Sequence, residues 1–276
     1  MRIAPVLKYP GAKWSLADWI VGHLPKHITY LEPFFGSGAI FFNKHPSKVE
    51  TINDLDSNVT NLFQVIRDHP EELARTIEFT PWSREEYDIL LLPAGDTEII
   101  PRTGDMVEDA RRFLVRCWQA FGSKTSDKVG WKNEVQGKQG KNAVRIWNQL
   151  PQRILKVTDR LKTVQIENRP ALEVIERHRY PGVLIYADPP YPISTRHGRI
   201  YKHEMTDQDH IELLDALDQH PGSVLLSGYA CTLYDDRLKH WGRRTAKALA
   251  EGGRAREEVL WLNPKAAEEM LSLRLF

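Results

Sequence analysis

The sequence predicts an α/β protein in which a mainly helical insertion interrupts a doubly wound sheet. Short apolar runs, each followed by a turn and an amphipathic helix, open the chain and return after residue 160. Between them, residues 68–160 show helical apolar spacing. A chain of 276 residues is long enough for one large domain that carries such an insertion.

The predicted elements divide the chain into a domain of residues 1–67 and 161–276 and an inserted domain of residues 68–160. In the first part, strands are expected over 28–32 and 49–53 and a helix over 57–67. In the insertion, helices are expected over 83–92, 105–121 and 142–162, with a mobile basic loop over 122–141. After the insertion we expect strands over 164–167, 182–187, 223–227 and 258–262, helices over 171–179 and 206–219, and a final strand over 270–276 that pairs with 258–262.

Composition excludes several classes of protein. No apolar run reaches the roughly 18 residues that a membrane span needs, and the N-terminal residues lack the apolar core of a signal peptide. Two cysteines, Cys117 and Cys231, do not make a disulfide framework, and the ten histidines are scattered, so we expect no structural metal. A cytoplasmic protein is the simplest expectation.

Positive charge is concentrated in the insertion. Residues 102–160 contain 13 Lys or Arg and 6 Asp or Glu, whereas the whole chain has a net charge of +1. This excess favours a polyanionic partner for that segment. On charge alone, a lysine-rich solvated helical face remains an equal alternative.

The strongest motif is Asp188-Pro189-Pro190-Tyr191, which directly follows a predicted buried strand. In open α/β sheets, ligands bind outside the carboxyl ends of the strands. Two prolines make the turn rigid and remove two backbone donors. Asp188 and the Pro189 carbonyl can then accept the two hydrogens of an amino group on a planar ring, and Tyr191 can stack on that ring. The alternative is a proline-rich loop that merely follows a core strand.

A second motif, over 32–38, has the sequence EPFFGSG and also follows a strand. Gly36 and Gly38 allow the backbone to approach a ligand. Asp54 lies 22 residues after Glu32, at the spacing where an acid reaches a ribose hydroxyl. Because the third glycine of the dinucleotide fingerprint and a P-loop lysine are missing, a nucleoside fits better than a dinucleotide. A third segment, over 8–13, combines an aromatic residue and lysines with a Pro-Gly turn.

The order Tyr-Pro-Gly-x-Lys, EPFFGSGA, IND, helical insertion and DPPY resembles the Dam-like family of DNA adenine methyltransferases in its alpha arrangement. The resemblance covers most of the chain. It implies a Rossmann-like methyltransferase sheet with helices on both faces, S-adenosylmethionine as cofactor, double-stranded DNA as partner, and a target-recognition role for the insertion. The source would be a bacterial or phage-infected cell, where a cognate restriction endonuclease can accompany such enzymes.

The resemblance also implies roles for particular residues. The catalytic residues would be Asp188, Pro189, Pro190 and Tyr191. The cofactor would be bound by Tyr9, Lys13, Glu32, Phe34, Gly36, Ser37, Gly38, Asp54, Asn168 and Asp188, with Tyr9 and Lys13 at its methionine end and Asp54 at its ribose. The DNA would be contacted by Lys124, Lys128, Lys132, Lys138, Lys141, Arg196 and Arg199.

The implied reaction is direct in-line methyl transfer to the exocyclic 6-amino group of a flipped-out adenine. The same geometry would serve an enzyme acting on the exocyclic 4-amino group of cytosine, although Ser is commoner at position 188 in that class. An RNA or protein-amide methyltransferase and a catalytically silent DNA-binding regulator are further alternatives. Methylation at carbon 5 of cytosine would need a cysteine nucleophile, and both cysteines are expected to be core residues.

Overall fold

The computed structural model describes residues 3–91, 102–122, 124–125, 129–133, 143–196, 198–249 and 255–272. The chain divides into two compact units. The first, here called the sheet unit, consists of Lys13–Leu55, Val164–Arg199 and His203–Phe276. The second, here called the helical unit, consists of Met1–Ala12, Asp56–Thr163 and Ile200–Lys202.

The sheet unit is built on one sheet, which has seven strands among the residues that the structure describes. The strands are β1 (Thr29–Glu32), β2 (Val49–Asn53), β3 (Gln165–Glu167), β4 (Val183–Ala187), β5 (Ser223–Gly228), β6 (Gly242–Leu249) and β7 (Ala255–Leu262). Their spatial order is β3-β2-β1-β4-β5-β7-β6. The predicted doubly wound α/β sheet is therefore confirmed.

The topology places the switch point of the sheet between β1 and β4. β1 pairs in parallel with β2 on one side and with β4 on the other, and β5 continues the parallel sheet beyond β4. The chain thus winds outward in two directions from this pair, and ligands bind at such a switch point. Beyond β5, β7 runs antiparallel to both of its neighbours, β5 and β6, so among the described strands it is β7 alone that opposes the direction of the others.

The core of the sheet unit lies around β4 and β5. Every residue of both strands is buried, as expected for the central strands of a parallel sheet. Leu213 and Leu217, which belong to the helix between β4 and β5 in the chain, pack into the same hydrophobic cluster as Ile185 and Leu226. This packing fixes the carboxyl end of β4, and with it the turn that carries Asp188.

The helices of the sheet unit connect and flank these strands. They are α1 (Ala17–Val21), α2 (Ala39–Asn43), α9 (Ala171–Arg177), α10 (Asp207–Asp218), α11 (Thr232–Arg237) and α12 (Pro264–Ser272). α10 begins with a capping box, in which Thr206 accepts a hydrogen bond from the Asp209 backbone and the Asp209 carboxylate accepts one from the Thr206 backbone.

The predicted strand over 270–276 is wrong as far as residue 272, because that segment belongs to α12. The helix is started by Asn263, whose Oδ1 accepts a hydrogen bond from the Ala266 backbone 3.0 Å away, and by Pro264 in its first turn. The partner of β7 is instead β6, whose polar sequence GRRTAKAL lacks the apolar alternation of a typical strand.

The helical unit contains α3 (Ser57–Asp68), α4 (Pro70–Glu78), α5 (Arg84–Asp88), α6 (Met106–Gln119), α7 (Ala143–Trp147) and α8 (Leu150–Leu161). The predicted helix over 142–162 is thus two helices, and the predicted helix over 83–92 ends at residue 88. The N-terminal segment packs on this unit, since Trp118 donates to the Val6 carbonyl over 2.8 Å and Arg153 to that of Pro5 over 2.9 Å.

The helical unit is larger than the predicted insertion of 68–160. It also takes in residues 1–12 and α3, whose apolar face is buried against α6 and α8. Thr158 of α8, for example, donates to the Ile66 carbonyl of α3 over 3.2 Å. Among the described residues, no helix combines the length and apolar character needed to cross a membrane.

Candidate active site

Asp188 and Lys13 form a largely buried ion pair at the carboxyl end of β4. The ammonium nitrogen of Lys13 lies 2.9 Å from Oδ1 of Asp188, and the two side chains are 6% and 18% exposed. Burial raises the pKa of Asp188 above its ordinary value, and the Lys13 charge opposes that rise. Asp188 is therefore a carboxylate held in place by a partner rather than a freely solvated acid.

A second carboxylate, Glu258 of β7, shares Lys13 with Asp188. Oε1 of Glu258 lies 3.8 Å from the Lys13 ammonium and accepts a hydrogen bond from the Tyr191 hydroxyl. Burial raises the pKa of Glu258, and the nearby Lys13 charge again opposes the rise. Two carboxylates, Asp188 and Glu258, thus lie close to one ammonium, that of Lys13, beside the motif.

The ring of Tyr191 is almost fully buried, with 5% of the residue exposed. The Lys13 ammonium lies 4.7 Å from its ring centre. The Tyr229 ring packs against it edge-on, with 4.7 Å between the ring centres. The predicted stacking of Tyr191 on a base would therefore need one face of this ring to become accessible. The neighbouring Tyr229 ring is already partly accessible, because Tyr229 is only partly buried.

The two prolines of the motif complete the turn after β4. Pro189 is buried and Pro190 is partly buried, and both lack a backbone donor. The turn is fixed further along by Arg196, whose Nε donates to the Tyr191 carbonyl over 2.8 Å.

Arg196 binds the protein itself, and this arrangement differs from the predicted phosphate contact. Its guanidinium pairs with Glu204 and also donates to the Gly198 carbonyl over 2.7 Å. Both charged side chains are less than a tenth exposed. A buried, paired guanidinium is poorly placed to meet a phosphate, so we interpret Arg196 as the residue that closes the loop after Tyr191. Arg199 is exposed, as a phosphate contact requires.

The ends of β1, β2 and β3 bring together three residues predicted to bind the cofactor. The Gly36 backbone donates to Oδ2 of Asp54 over 2.8 Å. The side-chain amide of Asn168 donates to the backbone carbonyls of Asp54, over 2.7 Å, and Leu55, over 3.2 Å. These bonds connect three neighbouring strand ends into one rim beside the switch point.

The glycine-rich turn depends on its glycines. Gly36 and Gly38 have φ values of 49° and 67°, in the left-handed region that favours glycine. A Cβ atom at Gly38 would lie 2.4 Å from the Phe35 ring. Between them, Ser37 accepts a hydrogen bond from the Trp14 indole over 3.0 Å. Phe34 packs partly buried against the core cluster.

Glu32, which opens this turn, is buried with 2% of the residue exposed. The Tyr30 hydroxyl donates to its Oε2 over 2.7 Å. Burial raises the pKa of Glu32 to about 8, although the Tyr30 hydrogen bond and Lys44 act in the opposite direction. Burial therefore favours the protonated form of Glu32, whereas the bond donated by Tyr30 favours the ionised form.

Tyr9 belongs to the helical unit, whereas Lys13 belongs to the sheet unit. The Tyr9 ring lies beside that of Tyr201, with 6.4 Å between their centres. The predicted roles of Tyr9 and Lys13 at the methionine end of the cofactor remain predictions.

A cavity of about 500 Å³ opens beside the motif in the sheet unit. Its walls include Pro192 and Thr195 after the motif, Tyr229 and Cys231 after β5, and Arg256 of β7. The guanidinium of Arg256 lies 5.1 Å from the ring centre of Tyr229 and donates to the Thr195 carbonyl over 2.9 Å. The cavity thus shares Tyr229 with the cluster around Tyr191.

The two cysteines do not have the surroundings of a nucleophile. Burial raises the pKa of Cys117 to about 12, and it also raises the pKa of Cys231. Both thiols therefore stay protonated at neutral pH, which disfavours the carbon-5 cytosine chemistry considered from the sequence.

The basic loop is described only in part. Lys128, Lys138 and Lys141 lie outside the described residues, whereas Lys124 is exposed and Lys132 partly exposed. The backbone at 119–121 pairs with that at 130–132: Phe121 donates to the Gly130 carbonyl over 2.8 Å, and Lys132 to that of Gln119 over 2.7 Å.

The Phe121 ring stands out from this paired segment, with 72% of the residue exposed. The segment itself is held firmly, because the Trp82 indole donates to the Lys132 carbonyl over 3.2 Å and the Tyr87 hydroxyl to that of Val129 over 2.6 Å. An exposed aromatic ring beside lysines is a surface suited to nucleic acid.

Three residues of this site were not identified from the sequence, namely Glu258, Glu204 and Tyr229. Glu258 and Glu204 are charged residues outside any motif, so the sequence gives no reason to expect them to be buried. Tyr229 could have been suspected, because it directly follows the buried strand β5 on the same edge of the sheet as Asp188.

Known proteins resemble this chain over most of its length. Residues 9–250 match the family model described as D12 class N6 adenine-specific DNA methyltransferase. The type II methyltransferase M1.LlaDCHI of Lactococcus lactis subsp. cremoris is 27% identical over 263 residues, which are 92% of this chain and 90% of that protein. The type II methyltransferase M.MjaIII of Methanocaldococcus jannaschii is 26% identical over 251 residues, 82% and 84% of the two chains. A shorter match, 35% identical over 79 residues, links 29% of this chain to 26% of the DNA adenine methylase of Salmonella typhi.

Proposed function

This chain belongs to the D12 class N6 adenine-specific DNA methyltransferase family, and we propose that Asp188 is the residue that receives the target amino group. Family membership confirms the predicted Rossmann-like methyltransferase fold and the predicted adenine-specific DNA methylation. The observation that carries the proposal is the position of Asp188. It directly follows a fully buried strand at the switch point of the sheet, in a turn made rigid by two prolines.

The cofactor that we propose is S-adenosylmethionine, which supplies the methyl group when bound. The rim formed by Gly36, Asp54 and Asn168 has the chemistry to hold it. Asp54 offers a carboxylate to the ribose hydroxyls, while the glycine turn lets the backbone come close to the ligand. Phe34, Ser37 and Gly38 would line the pocket, and Glu32 would support the turn from below through its bond to Tyr30.

Asp188 and the Pro189 carbonyl act on the target nitrogen. Each accepts one hydrogen of the 6-amino group, which frees the nitrogen lone pair from the ring and aims it at the methyl group. The nitrogen would form one new bond to the methyl carbon as the bond between that carbon and the sulfur of the cofactor breaks, and the nitrogen would then lose one proton. Asp188 is placed to take that proton, because burial already favours its protonated form. Catalysis comes from positioning and preset charges, without a covalent enzyme intermediate.

The target adenine has to leave the double helix to reach Asp188, at a cost of a few kcal/mol. We propose that the cavity lined by Thr195, Tyr229 and Arg256 receives the extruded nucleotide. The partly buried Tyr229 ring offers a surface for stacking beside Tyr191. Arg256, which lines the same cavity, supplies a positive charge for the backbone of that nucleotide.

The helical unit is proposed to supply the main DNA contacts. Lys124 and Lys132 would bind phosphates, and so would Lys128, Lys138 and Lys141, which lie outside the described residues. Arg199 of the sheet unit would add a further phosphate contact. Phe121 would wedge against the bases, as exposed apolar residues do in proteins that deform DNA.

The biological setting is proposed from the same relatives. Two of them are named type II methyltransferases, which supports a cognate restriction endonuclease as a partner. A DNA substrate of this kind supports the cytoplasm of a bacterial or phage-infected cell as the place of action.

The proposed function is tested by incubating the protein with unmethylated double-stranded DNA and radiolabelled S-adenosylmethionine, followed by mass spectrometry of the nucleosides. We expect N6-methyladenine, with no label when the cofactor is omitted. N4-methylcytosine in its place would overturn the assignment of the base. Binding of the cofactor without any product on DNA would overturn the assignment of the substrate.

A further inference from the structure

Glu258 lies far from every sequence motif, yet it is buried in the middle of the site. It is the fourth residue of the antiparallel strand β7 and only 3% exposed, whereas its neighbour Glu257 is exposed. A buried carboxylate destabilises a fold unless partners compensate for the lost hydration. Its partners here are Tyr191, through a hydrogen bond, and Lys13, at 3.8 Å.

We propose that Glu258 is a positioning residue for methyl transfer, which fixes the Tyr191 ring and shares Lys13 with Asp188. The inference rests on the proposed role of Asp188, and it adds a residue that acts through others.

The contacts of Tyr191 explain the first part of this role. Its hydroxyl is bound to Glu258, its ring centre lies 4.7 Å from the Lys13 ammonium, and the edge of Tyr229 packs beside it. The hydroxyl is the end of the side chain farthest from the backbone. A bond there stops the ring from tilting, so the wall beside Asp188 keeps its shape when a base arrives.

The position of Lys13 explains the second part. Its ammonium is 2.9 Å from Asp188 and 3.8 Å from Glu258, so one positive charge serves two buried carboxylates. When Asp188 engages the amino group of the base, Lys13 keeps a second acid as counter-ion and does not become an uncompensated buried charge. Glu258 thereby makes Asp188 available to the substrate.

The charge balance around Asp188 gives this role a measurable signature. Among the described residues, the titratable groups whose charges act on Asp188, or are acted on by it, include Lys13, Glu32, Tyr186, Tyr191, Tyr229, Tyr234 and Glu258. Removing the Glu258 carboxylate leaves all of the Lys13 charge to Asp188, because the two carboxylates no longer share that ammonium. Asp188 would then ionise at lower pH.

The test compares three variants. Glu258→Gln keeps an acceptor for the Tyr191 hydroxyl but removes the charge, Glu258→Leu removes both, and Glu257→Gln is the matched control on the exposed side of the same strand. Far-ultraviolet circular dichroism and the melting temperature show which variants fold. Steady-state kinetics with DNA and S-adenosylmethionine are then measured across pH for each folded variant.

We expect Glu258→Leu to lower kcat by about 10- to 100-fold, the range that a misplaced catalytic group costs, with a smaller change in KM for the cofactor. Glu258→Gln is expected to recover much of kcat and to move the acid limb of the pH profile down by about half a pH unit or more. Glu257→Gln should match the unmodified protein.

An unchanged acid limb in Glu258→Gln, together with kcat near that of the control, would overturn the inference. The inference is also overturned if Glu258→Leu folds and keeps full kcat. If Glu258→Leu does not fold, the kinetics of Glu258→Gln alone decide whether Glu258 has the proposed role. Failure of the proposed function looks different, because the unmodified protein would then methylate no adenine.

Discussion

The ammonium nitrogen of Lys13 lies 2.9 Å from Oδ1 of Asp188, in a pair that is largely shielded from solvent. Shielded charges are weakly screened by salt, so their interaction stays strong under physiological conditions. Because burial raises the pKa of Asp188 and Lys13 opposes the rise, Lys13 helps to set the pH at which Asp188 becomes ready to accept hydrogen bonds.

Removal of the Lys13 charge should therefore shift the pH dependence of activity. In Lys13→Met the carboxylate of Asp188 loses its counter-ion, its pKa rises further, and the acid limb of the kcat profile moves to higher pH. At pH 7 we expect kcat to fall by about tenfold or more. Lys26→Met, an exposed lysine of the same unit, is the control. An acid limb that stays in place would contradict the counter-ion role.

Replacement of Asp188 itself should abolish catalysis and spare the fold. Asp188→Ala removes the acceptor for the amino group, and we expect methyl transfer to fall at least 100-fold. The melting temperature should change little, because Glu258 remains near Lys13 as a counter-ion and the Asp188 side chain lies at a strand end and not within the core cluster. Substantial activity in a folded Asp188→Ala protein would refute the assignment of this residue.

The loop after Tyr191 should depend on the pair between Arg196 and Glu204. Because both side chains are buried, Glu204→Ala leaves a buried guanidinium without its carboxylate, and we expect a loss of about 3–5 kcal/mol in unfolding free energy. The double variant Arg196→Ala/Glu204→Ala should lose less than the sum of the two single losses. Urea titrations measure these values.

An exposed ion pair provides the comparison for these single and double variants. Glu176→Ala removes the partner of Arg179 at 3.3 Å on the surface of the same unit, where we expect less than about 1 kcal/mol. If Glu204→Ala cost no more than Glu176→Ala, the loop would not depend on the buried pair.

The positions of two predicted site residues in the fold follow directly from strand ends. Asp188 comes just after a fully buried strand, and Asp54 just after a strand whose last four residues are buried. The carboxyl ends of parallel strands lie along one edge of a sheet. The positions of Asp188 and Asp54 can therefore be predicted from the local sequence. The same reasoning does not reach Glu258, because it lies within an antiparallel strand and its burial depends on partners that are distant in sequence.

The differences between the sequence-based expectations and the structure have similar causes. Strand β6 has the sequence of a polar edge strand, so periodicity does not reveal it, whereas the apolar residues near the C-terminus suggested a strand where α12 lies. Arg196 was predicted to contact DNA, and its partner Glu204 is identified only once the loop has folded back. Helix α3 follows β2 in the chain, but its buried face packs on α6 and α8 in the helical unit.

Glu32 should make the stability of the protein depend on pH. Its folded pKa of about 8 lies above the value of roughly 4.3 for an exposed glutamate. A raised pKa contributes stability that is complete below the unfolded value and is lost as the pH rises toward the folded value. Between about pH 4.5 and 8, unfolding free energy should therefore fall by up to about 1.4 kcal/mol per pH unit on account of this group.

Glu32→Gln removes that dependence. The unfolding free energy of the variant minus that of the unmodified protein should be larger at pH 8.5 than at pH 5.5. Urea unfolding of both proteins at the two pH values measures this difference. Glu173→Gln, at an exposed position of α9, should leave the difference between the two pH values unchanged. An equal effect of Glu32→Gln at both pH values would show that Glu32 is not the group that titrates.

The lysines of the helical unit should determine how DNA binding responds to salt. Each phosphate contact contributes about 0.9 to the slope of log K against log salt concentration, so Lys124→Ala/Lys132→Ala should reduce the slope by about 2 if both residues contact phosphates. The loss in affinity should be similar for different DNA sequences, because phosphate contacts carry no base information. Lys156→Ala, an exposed lysine of α8 in the same unit, tests whether any loss of positive charge has this effect. A slope that falls equally in both variants would indicate a diffuse charge effect. A slope that falls only in the double variant would place the DNA backbone against the paired segment that carries Phe121.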